Sequence, residues 1–265
     1  MKEIYHNQTY KKYAPQIILE GIRGSQAHGT YVPQHPDSVD DEDLMGVAVM
    51  PIDYYVGLNH FEVQEIKEGR YDVVIYEIRK FIRLLLKQNP SVVMLLWLQD
   101  HYYTKRTELS ELLIKNRDIF SSKKAYQAFS GYAYGQFKRM THFQAYEGYM
   151  GAKRKALVDK YGYDTKNASH LIRLLKMGIE FLSSGQMNVF RHDNEMLIEI
   201  KYGKWKLEKV KDEAERLFKL ADEAHMNSKL PSEPDYAKAN ELCERIILEH
   251  HKLITVESVN GRVEK

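Results

Sequence analysis

Gly24-Ser25-Gln26-Ala27-His28-Gly29-Thr30 and, after a polar stretch, Asp41-Glu42-Asp43-Leu44-Met45-Gly46-Val47 are the segments of this 265-residue chain on which its reading turns. Before them runs Gln16-Ile17-Ile18-Leu19-Glu20, a short apolar run between Pro15 and Gly21 that reads as a strand or a helix end. Gly21-Ile22-Arg23-Gly24-Ser25 reads as a small-residue turn, and residues 30–39, with Pro33 and Pro36, as a polar loop. Residues 44–50 are apolar except for Gly46, and Pro51 follows, so this stretch reads as a strand. The spacing therefore predicts a Gly-Ser pair leaving one element and an Asp-Glu-Asp run entering the next.

Those residue types suit phosphate chemistry. Asp41 and Asp43 are two apart, so in a strand they point to one face. Carboxylates are the hard oxygen ligands that magnesium prefers. Glycine lets the backbone approach a phosphate, and Ser25 offers a hydroxyl and an amide donor. Transfer of a nucleotidyl group depends almost wholly on positioning and charge stabilisation, and two magnesium ions roughly 3.5–4 Å apart can clamp the attacking and leaving oxygens. The plainer reading is a solvated acidic loop beside a common turn.

Working outward, Asp72-Val73-Val74-Ile75-Tyr76 is rich in β-branched residues and reads as a strand. It runs into a helix over 77–87, in which Ile78, Phe81, Ile82, Leu85 and Leu86 recur at helical spacing and which Asn89-Pro90 stops. Asp72 opens this strand and is the first choice for a third carboxylate. Glu77 is the second, although an acid there also suits a helix start. Residues 92–98 read as a buried helical element. Beyond residue 105 helical periodicity dominates: aromatics 126–137, a helix over 168–182 with Gly185 as its stop, and amphipathic stretches over 204–225 and 236–251. The expected fold class is α+β, with an α/β part over 1–105 and a helical part over 106–265.

The two opening segments resemble the signature of the DNA polymerase β-like nucleotidyltransferase superfamily, Gly-Ser followed by Asp-x-Asp. With Ala-x-Gly-Thr after the serine and Gly-Val after the aspartates, they are similar to a bacterial and phage branch of nucleotidyltransferases, some of whose members sit with RNA-repair genes. Further stretches share the likeness: Tyr76-Glu77-Ile78-Arg79-Lys80-Phe81, Gln88-Asn89-Pro90-Ser91-Val92, Lys166 through His170-Leu171-Ile172-Arg173-Leu174, and Ser228-Lys229-Leu230-Pro231. The spacer from Ser25 to Asp41 is longer than the superfamily's, Glu42 stands where the pattern has an apolar residue, and Asp37 and Asp40 offer alternative registers. The resemblance implies a mixed sheet followed by helices. It also implies two Mg2+ ions (Mn2+ able to substitute) on Asp41, Asp43 and Asp72, and a nucleoside triphosphate such as ATP as donor. An RNA 3′ end is the first acceptor it suggests. Nucleotidylylation of a protein or small molecule, or a non-catalytic nucleotide-binding module, are the rival readings.

Lys166, His170 and Arg173 lie at i, i+4 and i+7 on one helical face, a stripe expected to stand outside the core and to hold the triphosphate. Lys138 and Arg139 are weaker candidates, as is Arg23. The run Lys153-Arg154-Lys155 could meet a nucleic-acid backbone. Tyr132 and Tyr134 read as core or as base-stacking platforms, His28 as a phosphate contact or a turn cap. His225, His250 and His251 have no zinc-ligand spacing. With 39 basic and 37 acidic residues, bulk charge gives no sign of a nucleic-acid partner, so cations must act locally. One cysteine, Cys243, excludes an internal disulfide framework. With no apolar run long enough to span a bilayer, a cytoplasmic protein is expected.

Overall fold

The computed structural model describes residues 3–38, 40–141 and 152–263. Five strands form its sheet: β1 (Ile17–Arg23), β2 (Glu42–Ala48), β3 (Val63–Glu68), β4 (Tyr71–Glu77) and β5 (Tyr103–Arg106). Their order is β3-β4-β2-β1-β5. The pair β2–β4 is parallel and the other pairs are antiparallel, which makes the sheet mixed. Around it stand α1 (Gln8–Tyr13), α2 (Gly24–Ala27), α3 (Asp53–Val56), α4 (Ile78–Leu86), α5 (Pro90–Val93), α6 (Glu108–Lys115), α7 (Lys124–Thr141), α8 (Ala152–Tyr161), α9 (Thr165–Ser184), α10 (Asn194–Lys201), α11 (Leu207–Asn227) and α12 (Tyr236–Val263). The α+β class expected from the sequence is the class observed.

The central strands are buried on both faces, so they read as continuous apolar runs. Leu44, Ala48, Val73 and Ile75 face one side, where Ile4, Tyr10 and Tyr13 cover them. Met45, Val47 and Val74 face the other, which belongs to a larger cluster with Phe81 of α4, Phe129 of α7, Leu171 and Ile172 of α9, Leu217 of α11 and Ile246 of α12. Odd-numbered residues of β2 thus look toward the helices, and Asp43 shares that parity.

Local capping accounts for the helix boundaries. Glu77 accepts from the Lys80 backbone N–H at the start of α4, Asp164 from Asn167 at the start of α9, and Gly185 closes α9 at φ +71°. The packing of α7 on α9 is close: a Cβ on Gly178 would stand 2.9 Å from Phe129 Cβ. The buried helical element expected over 92–98 is observed as a short α-helix, Pro90–Val93, continued by a 3-10 turn over Met94–Trp97. Two expectations need correction. Gly21, Ile22 and Arg23 belong to β1, so the turn begins only at Gly24. Strands β3 and β5 also stand where no element was expected. No helix among the described residues is long and apolar enough to cross a membrane.

Candidate active site

Arg23, Asp43 and Asp72 lie in one row across the sheet. Arg23 of β1 is opposite Asp43 of β2, and Asp43 is in register with Asp72 of β4. Residues in register on neighbouring strands share a face, so the three crowd together. Arg23 Nη2 lies 3.9 Å from Asp43 Oδ1 and 3.5 Å from Asp72 Oδ1. Asp41 precedes β2 and is exposed, and lines the same cleft as Asp43 and Asp72. Burial raises the Asp43 carboxyl above the ordinary range. Arg23 opposes this shift, while the negative charges of Asp72 and Asp41 add to it.

The acidic cluster sorts itself by partner. Glu42 points away and pairs with Arg70 at 2.7 Å. Asp37 is held by Lys160 and Tyr161. Asp40 lines the cleft but is neutralised by Lys201. Glu77 closes the other end of β4, buried, as the cap of α4 with Arg79 at 3.3 Å. Asp41, Asp43 and Asp72 face the cleft, with Arg23 between the last two and Lys67 3.7 Å from Asp72.

Gly24 sits at φ +66°, and a Cβ there would stand 1.9 Å from Asp43 Oδ2. The turn can meet the aspartate only because this residue has no side chain. The long spacer between Ser25 and Asp41 folds back over α10, so Gly24, Ser25 and the aspartates line one cleft of about 380 Å³.

The facing wall comes from α7 and α9. Lys166, His170 and Arg173 all line it, as expected. Arg173, however, is only 9% exposed, which corrects the expectation that the whole stripe stands outside the core. Its Nη1 contacts Met177 Sδ at 3.4 Å and Met94 Sδ at 3.9 Å, and no carboxylate among the described residues forms an ion pair with it. Burial, together with the repulsion of Arg191, pushes its guanidinium down to about 10. Tyr132, Gln136 and Arg139 of α7 also reach the cleft. Tyr132 is exposed rather than core, and its hydroxyl accepts from Asn89 Nδ2 at 2.9 Å. Tyr134 is exposed too, with Lys138 over its ring at 4.8 Å, and neither lines the cleft. Lys153, Arg154 and Lys155 lie on α8, where the side chains of Lys153 and Arg154 fall outside the described residues. His225 stacks on Tyr126, and His250 meets His251 edge-on.

A family model described as the RNA repair pathway DNA polymerase beta family, RlaP, matches residues 2–245. The chain belongs to this family. RlaP membership brings with it a nucleotidyl transfer activity of the polymerase β kind. Among solved structures, a nucleotidyltransferase-like protein from Exiguobacterium sibiricum 255-15 is similar at 14% identity and a TM-score of 0.30, over 85% of this chain and 75% of that one. No curated protein matches.

Sequence reasoning gave Asp40 only as an alternative register of the acidic cluster and missed Lys201 and Gln136 as cleft residues. The first two come together only when α10 packs on the spacer, and no local pattern announces that contact. Gln136 had a signal, since it lies one turn from Tyr132 and from Arg139 on α7.

Among the described residues, no group of three or more His, Cys, Asp or Glu side chains is arranged to hold a metal ion by itself. Magnesium seldom needs one: it keeps several waters and binds through one or two carboxylates plus substrate phosphates. Asp41, Asp43 and Asp72 are hard-oxygen donors suited to that role, and the cleared space at Gly24 adjoins them.

Proposed function

We propose that this RlaP protein transfers a nucleoside monophosphate from a nucleoside triphosphate to an acceptor hydroxyl, with an RNA 3′ end as first acceptor, releasing pyrophosphate. The observation that carries this reading is the pairing of two unlike walls. Asp41, Asp43 and Asp72 line one side, and Arg173, buried with no carboxylate partner among the described residues, lines the other. A buried cation without a counter-ion is costly, and a polyphosphate bridging to metal on the aspartates supplies one.

Magnesium held by Asp41, Asp43 and Asp72 would neutralise charge on the transferring phosphoryl group. The acceptor oxygen attacks the α-phosphorus, the bond to the β-bridging oxygen breaks, and the hydroxyl proton leaves to a neighbouring base. Lys166 and Arg173 hold the outer phosphates, Arg173 through its planar donor fork. Gly24 and Ser25 present backbone and hydroxyl donors to the same group. The family's description as an RNA-repair polymerase β family supports an RNA acceptor.

The test incubates the protein with each α-labelled triphosphate, Mg2+ or Mn2+, and either RNA bearing a 3′ hydroxyl or no acceptor. Label on RNA, lost with Asp43→Asn and without metal, is the expected result. Label on the protein would redirect the acceptor assignment, and label nowhere would overturn the reading.

A further inference from the structure

Three buried polar atoms of the cleft have no partner among the described residues: Ser25 Oγ, His28 Nε2 and Gln136 Oε1. His28 is 3% exposed. Its Nδ1 lies 3.0 Å from the carbonyl oxygen of Val189. A carbonyl can only accept, so Nδ1 carries the hydrogen. Burial, reinforced by the charges of Arg173 and Arg191, holds the imidazole well below its ordinary range, so the ring is neutral. Nε2 is therefore a bare lone pair, an acceptor without a donor. The ring is fixed in place. The His28 N–H bonds Gly24 O at 3.2 Å, and its carbonyl accepts from Arg191 N at 3.3 Å.

The chemistry of that atom restricts what it meets. Phosphate oxygens of a bound triphosphate carry no hydrogen and would be repelled. Water on a divalent cation is a donor, but the charges that act on His28 are those of Arg173 and Arg191, which disfavour a further cation beside the ring. What remains on a nucleotide is a sugar hydroxyl or a base N–H. His28 directly follows α2, one turn past Gly24, so its ring stands beside the phosphate-meeting loop. The sugar is the next group along the nucleotide, whereas an aromatic surface for a base, Tyr132, lies on α7. We infer that His28 accepts a hydrogen bond from a sugar hydroxyl of the bound nucleotide and so selects ribonucleotides, an inference that rests on the nucleotide reading above.

The experiment measures equilibrium binding of α,β-methylene ATP, its 2′-deoxy and 3′-deoxy forms and its inosine counterpart, in Mg2+, to the full chain and to His28→Asn. Asparagine keeps an N–H where Nδ1 stood and removes Nε2. The wild type is expected to bind one deoxy form about 10-fold more weakly, the value of one well-made hydrogen bond. His28→Asn should weaken the ribo form to the deoxy level, erasing the difference, and His28→Gln, whose amide oxygen can reach the Nε2 position, should keep part of it. Equal wild-type affinity for ribo and both deoxy forms overturns the inference and leaves the nucleotide reading standing. So does discrimination that survives His28→Asn, or a penalty for inosine that His28→Asn removes. Failure of any triphosphate to bind overturns both.

Discussion

Arg173 holds its buried guanidinium against two thioethers, and no carboxylate among the described residues pairs with it. Its burial lets one substitution separate stability from binding. Arg173→Met is of similar length, matches the Met94 and Met177 surroundings, and removes both the desolvation cost and the repulsion from Arg191. The expected outcome is an unliganded protein that melts at or above the wild-type temperature, with nucleotide affinity lower by about 10-fold or more, the worth of a charge-assisted hydrogen bond. Unchanged affinity in a calorimetric titration would remove Arg173 from the site. Asp43 makes a second case. Its carboxyl is raised in the folded state, so the folded protein holds the proton more tightly than the unfolded chain. The stability this contributes is present below the unfolded value and is lost as pH rises through the folded one. Asp43→Asn should therefore leave the metal-free protein as stable as the wild type, or more so, near neutral pH while transfer falls by at least 100-fold. Mg2+ affinity of the metal-free protein should also weaken as the pH is lowered through the raised Asp43 value, because protons then compete with the metal for that carboxylate. A melting temperature well below wild type at neutral pH would show that ionised Asp43 is a structural requirement.

At the scale of elements, the described residues of the spacer from Ser25 to Asp41 are strapped onto α10 rather than loosely connected. Lys201, at the end of α10, donates to Thr30 O at 3.0 Å and pairs with Asp40. Tyr202 donates to Val32 O at 3.2 Å and stacks on His35, and Asn194 donates to Gly29 O at 3.0 Å. Both members of the Lys201–Asp40 pair are buried, so breaking it strands a charge. Lys201→Met should cost roughly 3–5 kcal/mol, read as a lowered urea midpoint, and combining it with Asp40→Asn should recover part of the loss. A midpoint equal to wild type would show that the strap is held elsewhere. These contacts explain what the sequence could and could not reveal. The strands β1, β2 and β4 carry dense apolar runs and are readable, and so is the Gly-Ser and Asp-x-Asp pairing. In β3 only Ile66 is buried, so an edge strand rich in charge leaves no alternation to find. In β5, Tyr103–Arg106 is four residues long and ends in two cations. Arg173 kept a polar name at a position whose burial is decided by α7 and the Met94 turn, far away in sequence.

For the whole molecule, the cleft lies where the sheet half meets the helical half, and each half supplies one wall. The division near residue 105 is our proposal for how the chain is organised. One buried cluster nevertheless joins Met45 and Val47 of the sheet to Leu171, Leu217 and Ile246 of the helices. Apolar burial is the main source of folding free energy, and here neither half can bury its share without the other. A ligand that touches both walls should thus stabilise the molecule as a unit. At a nucleotide concentration about 100 times its dissociation constant, mass action adds about 2.7 kcal/mol. For a chain of this size that corresponds to a rise of roughly 5–11 °C in melting temperature. The rise should require Mg2+ together with the triphosphate, since the aspartates repel phosphate without a cation between them. Tyrosine and tryptophan fluorescence and far-ultraviolet circular dichroism should report the same midpoint before and after addition. A shift confined to one probe, or two transitions that nucleotide pulls apart, would mean that the walls belong to independently melting parts, and the triphosphate would then be held by one wall alone.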